Sequence, residues 1–413
     1  MQTEWAILRS YTRRIRSITK KNAVRLNRKS QEILANPPTR EPLFPNLRHL
    51  CCEFADDVMP FLHLPFPSLL SLDLQLLDTS KFRFCLESFS AFSPNLSRLH
   101  IRPRMPRTVK NFDFNCISRW PNLQTLICRQ FPLDVDALSH LARMSSLTRL
   151  DFELSTTSLN FDTIFPLTNL RSISLRSKSL ALVQRLPFLI RLPIIVDFAI
   201  VINETPSKEE FPSFLACVQT SHTVQGLQLY QSRWAPISSS RDRDGSLLGL
   251  EDLRPCMALS NLRHINLNVK WSIGLTDCDL LTLASAWPHL EKLYINEHWG
   301  WNTPGGITPN GLLQLLQTCR LLSHVALAID TRGFTGLPHS LASLGLTLPP
   351  TFFINVVDSS IEANAVPAMT AFFSGFAPCL FFVWPLEFGS VEIYRSRWMD
   401  VFREHRFASF GDF

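Results

Sequence analysis

The sequence predicts an α/β solenoid, a stack of strand–loop–helix units whose parallel strands line one concave face. Three observations point there. A short apolar motif recurs along the 413 residues, an inward/outward alternation follows each copy, and helical text fills the intervals.

The motif is aromatic-Pro-Asn-Leu-x-x-Leu-x-apolar. It reads Phe44-Pro-Asn-Leu47-Arg-His-Leu50, then Phe66-Pro-Ser-Leu69-Leu-Ser-Leu72-Asp-Leu74. It continues as Ser93-Pro-Asn-Leu96-Ser-Arg-Leu99-His-Ile101 and Trp120-Pro-Asn-Leu123-Gln-Thr-Leu126-Ile-Cys128. Weaker copies start at Leu147, Leu170, Leu189 and Val224; it sharpens at Leu262, Leu290 and Leu322 and fades at Leu341 and Leu380. Most spacings fall near the 20–29 residues of a leucine-rich repeat, and the longer ones imply inserted loops. Three residues after the first apolar position, all thirteen copies are apolar. Five residues on, only Pro385 departs from apolar or Cys. Two inward residues flanking one outward residue is strand alternation.

Between strands the pattern turns helical. Asp134 caps a segment whose Leu138 and Leu141 share a face, and Arg143 closes it. Thr276 to Trp287 and Thr308 to Leu316 repeat that plan, the second with Pro309 at the first helical position. Such units bury their apolar faces only by stacking. Residues 1–35 are therefore expected to form a basic N-terminal cap, 36–390 the solenoid, and 391–413 a C-terminal cap carrying Trp398, Phe402 and Phe407.

Charge excludes a body-wide nucleic-acid footprint. Residues 1–31 hold nine Lys/Arg and one acid, Glu4, which leaves 32 basic and 34 acidic residues elsewhere. The basic arm has three readings: a mitochondrial transit segment, a binder of nucleic acid or anionic surfaces, or a first strand, Ile15–Ile18, followed by a helix over 22–34. The last is favoured, and nucleic acid is not an expected partner. Ten cysteines without a Cys-x-x-Cys pair or an apolar leader predict a reducing compartment, cytoplasmic and/or nuclear, and no metal site. The most apolar stretch, Leu180 to Ile202, is interrupted by Arg185, Pro187, Arg191, Pro193 and Asp197, so no membrane span is expected.

The repeats resemble leucine-rich-repeat proteins of the helix-containing type, and more narrowly the fungal F-box/leucine-rich-repeat proteins. The lead-in from Trp5 to Ile18 (Trp-x5-Tyr-x-Arg-Arg-Ile-Arg-Ser-Ile) and the Leu275-Thr-Asp…Trp287-Pro-His-Leu-Glu-Lys-Leu293 run carry the finer resemblance. It implies substrate recognition for a cullin-type ubiquitin ligase. A Skp-type adaptor and cullin enter as partners only if an F-box lies upstream of the lead-in. A stand-alone leucine-rich-repeat scaffold is the alternative.

Two features mark candidate binding residues. The outward position two after each first leucine, including Arg98, Arg149, His264 and Lys292, carries cations and histidines but no acid. That suits a protein partner offering an acidic or phosphorylated segment. Second, three successive strand ends are followed by tryptophans: Trp234, Trp271, and Trp299 with Trp301. Their indoles are expected to wall a pocket over His264/Asn266 and Lys292/Tyr294, because Trp is enriched in binding hot spots and rigid scaffolds grow functional loops. No nucleophile elbow, phosphate loop or His-Glu-x-x-His occurs, so no cofactor and no catalysis are expected. A Cys-dependent enzyme built on Cys51/His49 or Cys128/His100 is a minor alternative.

Overall fold

A computed structural model describes residues 2–20, 41–52, 62, 64–76, 79–103, 114–154, 165–184, 190–191, 194–219, 223–232, 247–303, 305–336, 349–376, 380–383, 392–403 and 406–408. They fall into two compact units: Met1–Arg176 with Leu186–Ile194, and Ser177–Arg185 with Ile195–Phe413.

In the first unit the strands Ser17–Lys20, His49–Cys52, Ser71–Leu76, Arg98–Pro103, Thr125–Leu133, Arg149–Leu154 and Ser172–Ser177 pair in chain order, all parallel. The register places Leu50, Leu72, Leu99, Leu126, Leu150 and Ile173 in one file across the sheet, each no more than 1% exposed. Fully burying one such side chain contributes about 1.5–3 kcal/mol. The file is therefore the backbone of the stack.

Asparagines just ahead of the leucines bond neighbouring repeats together. Asn46, Asn95 and Asn169 each donate Nδ2–H to a carbonyl of the preceding repeat, at Arg13, Pro67 and Ser145, over 2.6–2.8 Å. The aromatic before the proline packs below. Phe44 stacks on Phe66 with centroids 6.4 Å apart, and Trp120 Nε1 donates to the Ser93 carbonyl at 3.0 Å.

The second unit repeats this plan. Its strands Asp197–Ile202, Gly226–Gln231, His264–Asn268, Lys292–Ile295, His324–Ala326, Phe352–Asn355, Leu380–Val383 and Arg406–Ala408 are again parallel and sequential. The helices Asp277–Ala286 and Pro309–Thr318 begin as their sequence reads, on Thr276 and Thr308, whose hydroxyls accept from Asp279 N and Gly311 N. The second repeat is bolted to the first by Asp277, which accepts from Thr308 N at 2.8 Å and from its hydroxyl at 2.6 Å.

Three repeat positions differ from the sequence reading. The strand after Ser172–Ser177 is Asp197–Ile202, not the segment led by Leu189; Ile190–Arg191 instead pairs with Phe165–Pro166 in a separate small sheet. Ile195, Phe198 and Ile200 are the buried positions. Starting the repeat at Ile195 turns spacings of 19 and 35 residues into 25 and 29, ordinary repeat lengths. Leu341 lies outside the described residues, and the strand following His324–Ala326 is Phe352–Asn355. At Leu380–Val383 the register sets Phe382, not Val383, opposite Ile354. At Leu189 and Leu380 the apolar run is long enough to fit two frames, and pairing with the neighbouring strand selects one.

At the start of the chain, helix Gln2–Thr12 leads into a first strand at Ser17–Lys20, two residues later than the Ile15–Ile18 reading, and Ile18 pairs in register with Leu50. The helix expected over 22–34 lies outside the described residues. Near the end, Trp398 and Phe402 of the Glu392–Val401 region are buried against Phe373, and Trp398 Nε1 donates to Ser359 O at 2.9 Å. No helix among the described residues is long and apolar enough to cross a membrane.

Candidate functional site

Outward residues of the second unit's strands line a cavity of about 400 Å³. The strand register explains its composition. His264, Lys292, His324 and Phe353 stand side by side at one level, and Asn266, Tyr294 and Asn355 belong to the next. Gln228 and Tyr230 close one side, and Glu297 and His298, just past the end of the Lys292–Ile295 strand, close another.

One wall is aromatic. His324 stacks on Phe353 with centroids 4.5 Å apart and meets Tyr294 edge-on at 6.3 Å. The Ser323 hydroxyl lies 2.9 Å from His324 Nδ1. Burial, and then the positive charges of Lys292 and His264, lower the His324 pKa to about 4. This imidazole is therefore neutral near pH 7.

A second group is an amide network. Asn266 donates Nδ2–H to the Tyr230 hydroxyl and also faces Glu297 Oε1 at 3.5 Å, while its Oδ1 accepts from Asn268 Nδ2. Asn268 Oδ1 in turn accepts from the His298 backbone N–H at 2.9 Å, which fixes the loop against the strands. Burial raises the pKa of both phenols, Tyr230 and Tyr294, and the nearby Glu297 charge adds to it, so both stay protonated donors.

Asn355 stands apart. It is 2% exposed, its Oδ1 accepts from Val357 N at 2.9 Å, and its buried Nδ2 has no hydrogen-bond partner. The Val357 bond dictates which way the amide faces, since only the oxygen can accept from an N–H. Val357 itself has φ +53°, a left-handed conformation that is an outlier for a β-branched residue and costs energy.

The rim carries a further charge pair. Glu291 is 2.7 Å from Arg263 Nη1 and 3.3 Å from His264 Nε2. Burial pushes its pKa up, but the hydrogen bonds and charges of Arg263 and His264 outweigh this and hold it below the usual carboxylate range.

The structure brings together four of the residues expected from sequence, His264, Asn266, Lys292 and Tyr294. Trp271, Trp299 and Trp301 do not wall them. Trp301 is fully buried with Nε1 donating to Ile295 O at 2.8 Å, and Trp271, 6% exposed, donates to Pro206 O at 3.1 Å and packs edge-on against Phe211. Both are core. Gly300, at φ +74°, and Asn296, at φ +53°, form a tight turn that the Gly300 N–H closes on the Asn296 carbonyl at 2.9 Å. Trp299 is half-buried, does not line the cavity, and keeps a buried Nε1 without an acceptor. Trp234 lies outside the described residues.

Arg98 and Arg149 are exposed on the strand face of the first unit and do not line this cavity. That face is mixed in charge, not an uninterrupted cationic stripe. Asp73 takes a bidentate contact from Arg102 at 3.1 Å and sits 3.2 Å from His100, and buried Asp151 pairs with Arg129 at 2.7 Å. In the second unit the corrected register also puts Asp197 where the sequence reading placed Arg191, so the outward file does contain an acid.

Sequence reasoning missed Tyr230, Glu297, His298, Phe353 and Asn355 as site residues. Tyr230 was within reach, because the alternation carries one more outward position past the motif. Phe353 and Asn355 depended on the displaced register. For thiol chemistry, Cys128 is buried, and burial followed by the Asp151 charge pushes its thiol pKa well up, opposite to a reactive cysteine. His100 is held by Asp73, not by Cys128. Among the described residues no group of three His, Cys, Asp or Glu is arranged to hold a metal ion.

No protein-family model and no curated protein matches the sequence. Among solved structures, the chain is similar to one in a TLR13–ssRNA13 complex, at 13% identity and a TM-score of 0.36, over 91% of this chain and 62% of that one. It is also similar to the plant peptide hormone receptor RGFR1 in complex with RGF2, at 12% identity and a TM-score of 0.29, over 92% and 65%. The chain spans less than two thirds of the length of either.

Proposed function

We propose that the chain is a non-catalytic protein-recognition module that grips a segment of its partner in the second unit's strand-face cavity. One observation carries this reading. Among the described residues, a cavity lined by outward strand residues presents the Lys292 ammonium and the Tyr294 hydroxyl without partners, beside the His324–Phe353 stack. An apolar wall with a few convergent polar groups is the usual make-up of a binding site. Parallel strands stacked by repeats hold these side chains on a rigid surface, which lowers the entropic cost of binding. The test is to isolate partners with the whole protein and compare them with Tyr294→Ala and Lys292→Ala variants that melt as the parent does. Partners retained by both variants would place recognition elsewhere.

The finer reading, substrate recognition for a cullin-type ubiquitin ligase, is supported by the resemblance of the Trp5–Ile18 lead-in and the 275–293 run. An in-frame F-box in the genomic sequence upstream of Met1, together with co-purification of a Skp-type adaptor by the extended product, tests it. Without either, the stand-alone scaffold is the better description.

A further inference from the structure

The cavity's hydrogen-bond account is lopsided. Among the described residues, the Lys292 ammonium, the Tyr294 hydroxyl and the Gln228 amide line it with no hydrogen-bond partner. The Asn266 amide is engaged, its nitrogen donating to Tyr230 and its oxygen accepting from Asn268. A group that completes this site must therefore bring acceptors, and beside a lysine an anionic acceptor gains most.

The local field agrees in sign. Beyond burial, the charges of Lys292 and His264 disfavour a proton on His324, while the Glu297 charge acts on Tyr230 and Tyr294 one level on. The neighbouring guanidinium is committed elsewhere, since Arg263 holds Glu291 at 2.7 Å. Among the described residues, lysine is thus the single fixed cation left to meet a ligand here, without the arginine fork that grips phosphate in two places. Glu297 lines the same cavity, and a dianion would meet more repulsion from it than a monoanion.

We propose that the cavity is a carboxylate seat, taking one Asp or Glu side chain of an extended partner segment against Lys292 and Tyr294. The His324–Phe353 stack and the Tyr294 ring wall the site, so the methylene stem of the acidic residue lies on apolar surface while its head reaches the ammonium. This rests on the recognition reading above and names its ligand chemistry. It also sets carboxylate against phosphate, between which the sequence alone does not choose.

The experiment pans a randomised nine-residue peptide library displayed on phage over the whole protein and, in parallel, over Lys292→Gln and Tyr294→Phe. The expected result is strong enrichment of Asp or Glu at one position, lost on Lys292→Gln and weakened on Tyr294→Phe, with melting temperatures unchanged. A synthetic peptide of the selected sequence should then lose about tenfold in affinity when its acid becomes the amide. Phosphoserine at that position should bind more weakly than Glu. Acidic enrichment that survives Lys292→Gln would overturn the seat, and tighter binding of the phosphoserine peptide would overturn the carboxylate class. Selection of non-acidic peptides that still need Tyr294 would leave the recognition reading standing and this inference wrong. No enrichment of any sequence would end both.

Discussion

Trp301 Nε1 donates to the carbonyl of Ile295 at 2.8 Å, tying a loop indole back to the end of the strand six residues earlier. The same indole's backbone N–H is caught by both oxygens of Asp358, at 2.9 and 3.0 Å, so two repeats meet on one residue. With no exposed surface, Trp301 is a core side chain on a loop. Trp301→Ala should therefore destabilise the protein by about 3–5 kcal/mol. Trp299→Ala, at a half-buried position, should cost much less. Urea denaturation checks the ordering, and equal losses would contradict the assignment.

Asn296 holds the first turn of that loop at φ +53°. Its Oδ1 accepts from Val269 N at 3.0 Å, and Nδ2 donates to Trp271 O at 2.8 Å and Gly300 O at 3.2 Å. Asn296→Ala loses those bonds and strains the left-handed backbone, for about 3 kcal/mol. Asn296→Gly loses only the bonds. Glycine should be the milder replacement, and the two melting temperatures decide it.

At the site, Lys292→Ala should leave the thermal midpoint close to the parent's, because the ammonium has no carboxylate at ion-pair distance among the described residues. Gly306→Ala should behave oppositely. An added Cβ there would lie 2.4 Å from the Leu275 carbonyl oxygen, forcing backbone apart where repeats touch. Overpacking of this kind costs about 1–3 kcal/mol. A drop in midpoint for Lys292→Ala, or none for Gly306→Ala, counts against these placements.

Acid should weaken the fold partly through His324. Its folded pKa of about 4 lies below the ordinary 6.5, so between those values the unfolded chain binds more protons than the native state. Stability then rises with pH across that window, and is lost as pH falls from 6.5 towards 4. The groups facing this ring are Lys292, His264 and Tyr294, with Ser323 and Phe353 in contact. Glu291, Asp73 and Asp330, all held below the usual carboxylate range, extend the loss to lower pH. His324→Phe should flatten the upper part of the profile in urea melts, and an unchanged slope would remove His324 from the account.

The sequence by itself determined the repeat, its strand file and its helix caps. Leu50 to Ile173, Asp134, Thr276 and Thr308 act through neighbours within a few residues or one repeat away, so their roles are written in local spacing. It also named His264, Asn266, Lys292 and Tyr294, because alternation fixes which side chains leave the core. Tertiary structure decided the rest. Whether Ile195 or Leu189 leads a strand depends on which frame pairs with Gly226–Gln231, an interaction with a later repeat. Whether an indole faces solvent or core depends on what the loop finds beneath it, and Trp271 and Trp301 find backbone carbonyls to bond. Asn355 joins the cavity only because Phe352–Asn355 pairs with His324–Ala326 across a long intervening stretch. Periodicity reads the direction a residue points; partners distant in sequence set what it meets.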